Sequence, residues 1–249
     1  MIPKKIHYCW FGGNELPVSA KKCINSWKKY FPGYEIIQWD ESNYDIKKNV
    51  YIREAYEAKK YAFVSDYARF DVLYQQGGIY FDTDVEVIKS FDDILKIGSY
   101  MGCEVDGNND ENRVSILINP GLGMAAPKGL KLYKEILDYY DKQNFLDFNG
   151  NINTTTVVTR TTAILLKRGL KNSSKIQKVE GITIYPKIYF NPRNNNTGVL
   201  EKTDKTHSIH WYSQSWVSSK ERLRSKITRP IHRMFGENCF EKLKILFKK

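Results

Sequence analysis

Asp82 and Asp84 are carboxylates two residues apart, directly after the run Gly77-Gly78-Ile79-Tyr80-Phe81. On extended backbone, residues i and i+2 point to the same side. At the end of a buried strand they form a cluster of hard oxygen ligands. Mg²⁺ or Mn²⁺ takes one or two such carboxylates and completes its shell with phosphate oxygens and water. Strand alternation is the competing reading. Asp82, Asp84 and Glu86 would then face solvent, with Thr83, Val85 and Val87 inward. An isolated Asp-x-Asp is more commonly of that kind. An acidic pair at the tip of a buried strand is harder to explain as a solvent face.

Ser65, Asp66 and Arg69 form a second group, at the start of an otherwise apolar helix. Ser65 and Arg69 share a helix face at i, i+4, and Asp66 reaches Arg69 at i, i+3. A helix N-terminus with an arginine can hold an anion. Equally, Ser65 caps the helix and Asp66 pairs locally with Arg69. Trp10 is read as closing the first strand, where it either stacks on a base or joins the core. Late in the chain, His210, Trp211, Ser213, Ser215 and Trp216 lie close together. His210 can ligate a metal as neutral imidazole, although a lone histidine is more often structural.

These groups need a frame. Lys5–Phe11 reads as a strand closed by Gly12-Gly13, Ser19–Tyr30 as an amphipathic helix and Tyr34–Trp39 as a second strand. A strand-helix-strand opening suggests an α/β nucleotide-binding fold. Asn49–Lys60 reads as a polar helix. In Tyr61–Gln76, Phe63, Tyr67, Phe70 and Tyr74 recur at helical spacing, and Gly77-Gly78 stops the run. Ile79–Phe81 is a short buried strand, and extended character resumes over Val85–Ile88. Further strands are expected over Ser99–Glu104 and Ser115–Ile118, with one or two over Gly181–Phe190. Further helices are expected over Leu130–Tyr140 and Val158–Arg168. Asn119-Pro120-Gly121-Leu122-Gly123 reads as a turn.

The chain has 249 residues, 41% of them hydrophobic and 27% charged, which is ordinary for a globular protein. Formal net charge is +11, and the last thirty residues supply +7 of it, from ten Lys/Arg against three Glu. A nearly neutral body with a basic tail excludes a uniformly basic nucleic-acid binder. The four cysteines, Cys9, Cys23, Cys103 and Cys239, show no Cys-x-x-Cys spacing. A reduced, cytoplasmic location is expected, since the N-terminus lacks a signal-like apolar stretch. No apolar run is long enough to span a membrane.

The run YAFVSDYARFDVLYQQGGIYFDTDVEV, with the opening IPKKIHYCWFGG, resembles the DXD-containing sugar transferases of glycosyltransferase family 32. That family includes bacterial capsule and envelope-polysaccharide transferases, with clostridial glucosylating toxin domains as distant relatives. The resemblance implies a GT-A type α/β fold, with a Rossmann-like nucleotide-binding half and a mixed central sheet. Residues 1–217 would form the catalytic domain, 1–100 its nucleotide-sugar half and 101–217 its acceptor half and closing segment. Residues 218–249 would be a basic helical tail.

By resemblance, Trp10 and the backbone at Cys9 would hold the base. Ser65 and Arg69 would contact ribose and donor sugar or phosphate, and Asp66 sugar hydroxyls. Asp82 would touch ribose, sugar and metal, and Asp84 would be the main metal ligand. Tyr80 and Asn119 would lie on the donor side, with Thr155, Thr156 and Arg160 on the acceptor side. HWYSQSW resembles the family's closing segment, which would bring His210 to the metal and Ser213 and Trp216 to the diphosphate. It departs from the pattern in having Ile209 for the first His and one extra residue between its tryptophans.

The expected activity is a retaining hexosyltransferase, using Mn²⁺ or Mg²⁺ and a nucleotide-sugar donor such as a UDP-sugar. Its acceptor would be a saccharide or a lipid-linked saccharide, in capsular polysaccharide or glycolipid synthesis. In the tail, apolar residues such as Ile227, Ile231 and Phe235 recur among Lys and Arg. That pattern suits either a peripheral helix on an anionic membrane, at the inner face of the cell membrane, or a helix packed on the body. Two rivals are a haloacid-dehalogenase-like phosphatase using Asp82 and Asp84, and a basic membrane-binding module without catalysis.

Overall fold

The structure is a computed structural model that describes residues 1–110, 112–194 and 197–213. Chain order begins β1 (Lys5–Cys9), α1 (Val18–Tyr30), β2 (Glu35–Trp39), α2 (Val50–Glu57), α3 (Tyr61–Gln76), β3 (Gly78–Tyr80) and β4 (Val85–Val87). It continues α4 (Asp92–Ile97), β5 (Tyr100–Val105), β6 (Leu117–Asn119), a 3₁₀ turn (Pro120–Leu122), β7 (Met124–Ala126) and α5 (Lys131–Tyr140). The last elements are α6 (Val157–Lys167), β8 (Gln177–Val179), β9 (Ile182–Tyr185), a 3₁₀ turn (Lys187–Tyr189) and β10 (Ser208–His210).

Among the described residues, the strands form an eight-stranded sheet in the order β2-β1-β3-β7-β5-β9-β8, with β6 beside β5. β1 pairs in parallel with β2 and β3, and β5 with β9, while β7 runs antiparallel to β3 and β5. The sheet is therefore mixed, as expected. β4 leaves it and pairs antiparallel with β10 in a separate ribbon.

Period-2 alternation divides the core between the two faces of the sheet. Tyr80, Met101, Cys103, Met124, Ile182 and Ile184 pack with residues of α2, α3, α5 and α6 on one face. Ile6, Tyr8, Ile79, Tyr100, Ala125 and Tyr185 pack with Cys23, Ile24 and Trp27 of α1, Ile94 of α4, and Val85 and Val87 of the ribbon. α3 keeps nine of its residues buried between Val64 and Leu73, including Asp66 and Arg69. It ends at Gly77, whose N–H bonds Leu73 O at φ +66°, a conformation that a Cβ would strain.

The strand order around β1 places the site. From β1 the chain goes to β2 on one side, then crosses to β3 on the other. In such sheets a crevice opens beyond the strand ends where the order reverses. Cys9–Trp10 and Phe81–Asp82 therefore leave the sheet side by side.

Several expected boundaries are corrected. β1 stops at Cys9, so Trp10 lies one residue past the strand. Asn49 is the cap of α2, accepting the Ile52 N–H, rather than its first residue. Short elements α4, β7 and β8 arise where no local pattern marked them. Among the described residues no helix is long and apolar enough to cross a membrane. The basic tail, with its expected membrane helix, lies outside the described residues, as do Ser215 and Trp216.

Candidate active site

Asp82 and Asp84 converge, but not on extended backbone. Residues 82–84 form a tight turn in which Val85 N–H bonds Asp82 O at 3.0 Å. The turn is held from three sides. Asp82 N–H bonds Gly121 O at 3.1 Å, Trp27 Nε1 donates to Val85 O at 2.8 Å, and Trp211 N–H bonds Asp84 O at 2.9 Å. Glu86 is no free solvent face either, since it accepts Trp211 Nε1 and pairs with Lys22.

The Asp82 carboxylate sits between a cation and a turn. Oδ1 accepts Tyr80 OH at 3.0 Å and lies 3.3 Å from Arg69 Nη2. Oδ2 packs over Gly121, so closely that a Cβ there would be 2.0 Å away. Asn119 shapes that turn by accepting Gly121 N–H at 2.7 Å through Oδ1.

Arg69 is 4% exposed, with Nε and Nη2 both engaged. Its Nη2 pairs with Asp66 Oδ1 at 3.0 Å as well as with Asp82, and its Nε donates to Ser65 O at 3.0 Å. Ser65 itself lies in the second turn of α3 and donates to Tyr61 O. It caps nothing, and the helix N-terminus expected to hold an anion with Arg69 lies at Tyr61, about two turns before that residue. Burial raises Asp66 to about 6, against the pull of Arg69, the Val157 N–H at the start of α6, and Arg160. Burial also pushes the Cys9 thiol up to about 12.

The closing segment reaches Asp84 from more than a hundred residues away. β10 places His210 opposite Val85. His210 Nε2 lies 3.0 Å from Asp84 Oδ1, while Ser213 donates its N–H and Oγ–H to Asp84 Oδ2 at 2.8 and 3.1 Å. Burial alone would raise Asp84, but His210 and Ser213 hold it well below the usual carboxylate range. Burial would likewise lower His210, and the charge of Asp84 outweighs it and raises the imidazole.

Asp82, Asp84 and His210 each offer a ligand atom, all within 4.8 Å of one another. The buried Nδ1 of His210 has no hydrogen-bond partner among the described residues. Buried polar atoms are rarely left so. The nitrogen that faces the carboxylates is Nε2, 3.0 Å from Asp84 Oδ1, and an imidazole set against two carboxylates fits a divalent ion.

Not every expected residue lies open to a ligand. Tyr80 is 1% exposed, because its hydroxyl serves Asp82 and its ring lies 5.0 Å below the Arg69 guanidinium. Trp10 is half-buried and donates Nε1 to Asn14 O. Thr156 caps α6 by accepting Thr159 N–H, and Arg160 is buried among the rings of Tyr51, Tyr139 and Tyr140. Both have structural work, and Arg160 is too enclosed to meet an acceptor directly. Conversely, Glu104 carried no local motif, yet its Oε2 accepts Asn119 Nδ2 at 2.7 Å.

A family model described as the glycosyltransferase sugar-binding region containing the DXD motif matches residues 17–100. The match spans Ser65, Asp66, Arg69, Asp82 and Asp84. An uncharacterized glycosyltransferase of Acanthamoeba polyphaga mimivirus is 27% identical over 225 residues, covering 87% of this chain and 84% of the relative. Inositol phosphoceramide mannosyltransferase 3 of Schizosaccharomyces pombe is 36% identical over 102 residues, 38% of this chain and only 27% of its own length. The solved galactosyltransferase LgtC, in complex with donor and acceptor sugar analogues, overlays 90% of this chain and 93% of its own at 12% identity, with a TM-score of 0.48. The matched sugar-binding region and the relative aligned over most of both chains support a glycosyltransferase.

Proposed function

We propose that this chain is a metal-dependent, retaining glycosyltransferase of GT-A type. It moves a hexose or N-acetylhexosamine from a nucleotide diphosphate sugar, with a UDP-sugar as first choice, to a saccharide acceptor. The observation that carries this reading is the convergence of Asp82, Asp84 and His210 within 4.8 Å, backed by the buried cation Arg69. The family match covers the same two aspartates and favours this reading over the phosphatase.

Asp82, Asp84 and His210 would hold Mn²⁺ or Mg²⁺. When bound, the ion supplies Lewis acidity to a diphosphate leaving group. The mixed oxygen and imidazole set favours Mn²⁺ over Mg²⁺, which prefers an all-oxygen shell. Protonation of His210 competes with ligation, so ion binding releases a proton there. Arg69 presents fixed positive charge beside Asp82, already oriented by Asp66 and Ser65 O, so it needs no reorganisation when charge develops on a diphosphate. Asp66 accepts sugar hydroxyls. Ser213, in the segment after β10, would approach the diphosphate; the same role expected of Trp216 falls outside the described residues. Trp10, one residue past β1, would stack on the base.

A capsule, envelope or glycolipid acceptor, and a cytoplasmic enzyme docked on the membrane through residues 220–249, complete the proposal. Loss of liposome binding on deletion of residues 220–249 supports the docking, and unchanged binding rejects it. For the activity, UDP- and GDP-sugars are screened for Mn²⁺-dependent hydrolysis or transfer, with Asp84→Asn as control. The expected result is turnover of at least one donor, abolished by EDTA and in Asp84→Asn. No donor binding, or binding indifferent to both treatments, sinks the reading.

A further inference from the structure

Glu104 lies near the end of β5, where the pairing with β6 slips. Cys103 stands opposite Ile118 and Val105 opposite Leu117, so Glu104 is the extra residue of a bulge. Bulges re-aim a side chain and are frequent beside active sites. Here the bulge carries a half-buried carboxylate from the sheet toward the Asp82 turn. Three bonds anchor it there. Its Oε2 accepts Asn119 Nδ2 at 2.7 Å, Asn119 Oδ1 accepts Gly121 N–H at 2.7 Å, and Gly121 O accepts Asp82 N–H at 3.1 Å. On the other side, Glu104 O accepts Asn191 Nδ2 at 3.1 Å, and Asn191 is 3% exposed, so the bulge itself is pinned. The charge of Glu104 also reaches His210.

We propose that Glu104 is a positioning residue of the metal centre. Through Asn119 it locks the turn on which the Asp82 carboxylate rests, and its charge adds to that of Asp82 and Asp84 around the ion. Residues that orient metal ligands in this way typically change metal affinity about 10–100-fold when removed. This inference rests on the metal-dependent reading above. It goes further by naming a residue that touches neither the ion nor the donor.

Two variants separate position from charge. Glu104→Gln keeps an oxygen for Asn119 and loses the charge, whereas Glu104→Ala loses both. Mn²⁺ alone is titrated into the full chain at constant pH and followed by electron paramagnetic resonance, with a thermal melt of each protein. The expected result is Mn²⁺ affinity a few-fold weaker in Glu104→Gln, and about 10–100-fold weaker in Glu104→Ala, with Glu104→Gln melting as the wild type. Wild-type affinity in a folded Glu104→Ala overturns the inference alone. If Glu104→Ala does not fold, wild-type affinity in Glu104→Gln overturns it. A wild type that does not bind Mn²⁺ overturns the metal-dependent reading and the inference together.

Discussion

Gly121→Ala isolates the placement of Asp82 from the rest of the fold. A methyl group at this position would lie 2.0 Å from Asp82 Oδ2, and ordinary contact begins at 3.4 Å, so about 1.4 Å must be found. It would also lie 2.9 Å from Asp82 Cγ and 3.0 Å from Asn119 Oδ1. Both neighbours are side-chain atoms. The backbone can therefore stay in place while the carboxylate swings aside, at a cost of about 1–3 kcal/mol for a small-to-large change in a packed site. Function is less forgiving. Metal–ligand distances tolerate about 0.2 Å, and a misplacement of about 1 Å costs on the order of 100-fold in rate. The expected protein is folded, melts a few degrees lower, binds Mn²⁺ about 10–100-fold more weakly and turns over donor at about 1% of the wild-type rate. Paramagnetic resonance titration, a thermal melt and donor hydrolysis read the three quantities separately. Wild-type Mn²⁺ affinity in a folded Gly121→Ala would refute the claim that Asp82 needs this close approach.

Two other perturbations probe the buried charges behind the site. Burial, opposed in part by Arg69, raises Asp66 from an ordinary 3.8 to about 6. The native state thus holds this proton more tightly than the unfolded chain, so stability falls as pH rises through this window, by about 3 kcal/mol. In Asp66→Asn that descending limb between about pH 4 and 6 flattens. Urea unfolding at several pH values measures it, and an unchanged slope refutes the assignment to Asp66. Arg160 stands 5.2–5.6 Å from three tyrosine rings, donates Nε to Thr155 O and lies near Asp66. Removing it as Arg160→Ala forfeits those contacts and leaves Asp66 with one cation fewer, a loss of about 3 kcal/mol. A denaturant melt within about 0.5 kcal/mol of wild type would show the cage to be incidental.

Much of the fold was legible because it is written in short-range periodicity. The aromatic stripe of Tyr61–Gln76 gave the bounds of α3, since helical spacing over sixteen residues has no other reading. Gly77 ended it because its positive φ excludes a side chain. The short elements β7, β8 and α4 were not legible, because three to six residues carry too little pattern to outweigh alternatives. The geometry at Asp82 and Asp84 was inferred as strand alternation and is a turn. Both arrangements bring the carboxylates together, so the acidic cluster forms despite the different local geometry.

By itself, the sequence determined the acidic pair after a buried strand, the cation on the preceding helix and the helix that carries it. All three lie between Tyr61 and Asp84, where spacing and backbone geometry suffice. Only the tertiary structure decided which distant groups join them. Pairing of β10 with β4 brings His210 and Ser213 onto Asp84, and pairing of β5 with β6 brings Glu104 onto Asn119. It also decided that Tyr80 and Arg160 are enclosed supports rather than open ligand walls. The physical reason is that strand neighbours are chosen by burial of whole faces across the sheet. No local period encodes that choice, and it sets which carboxylates share one cleft.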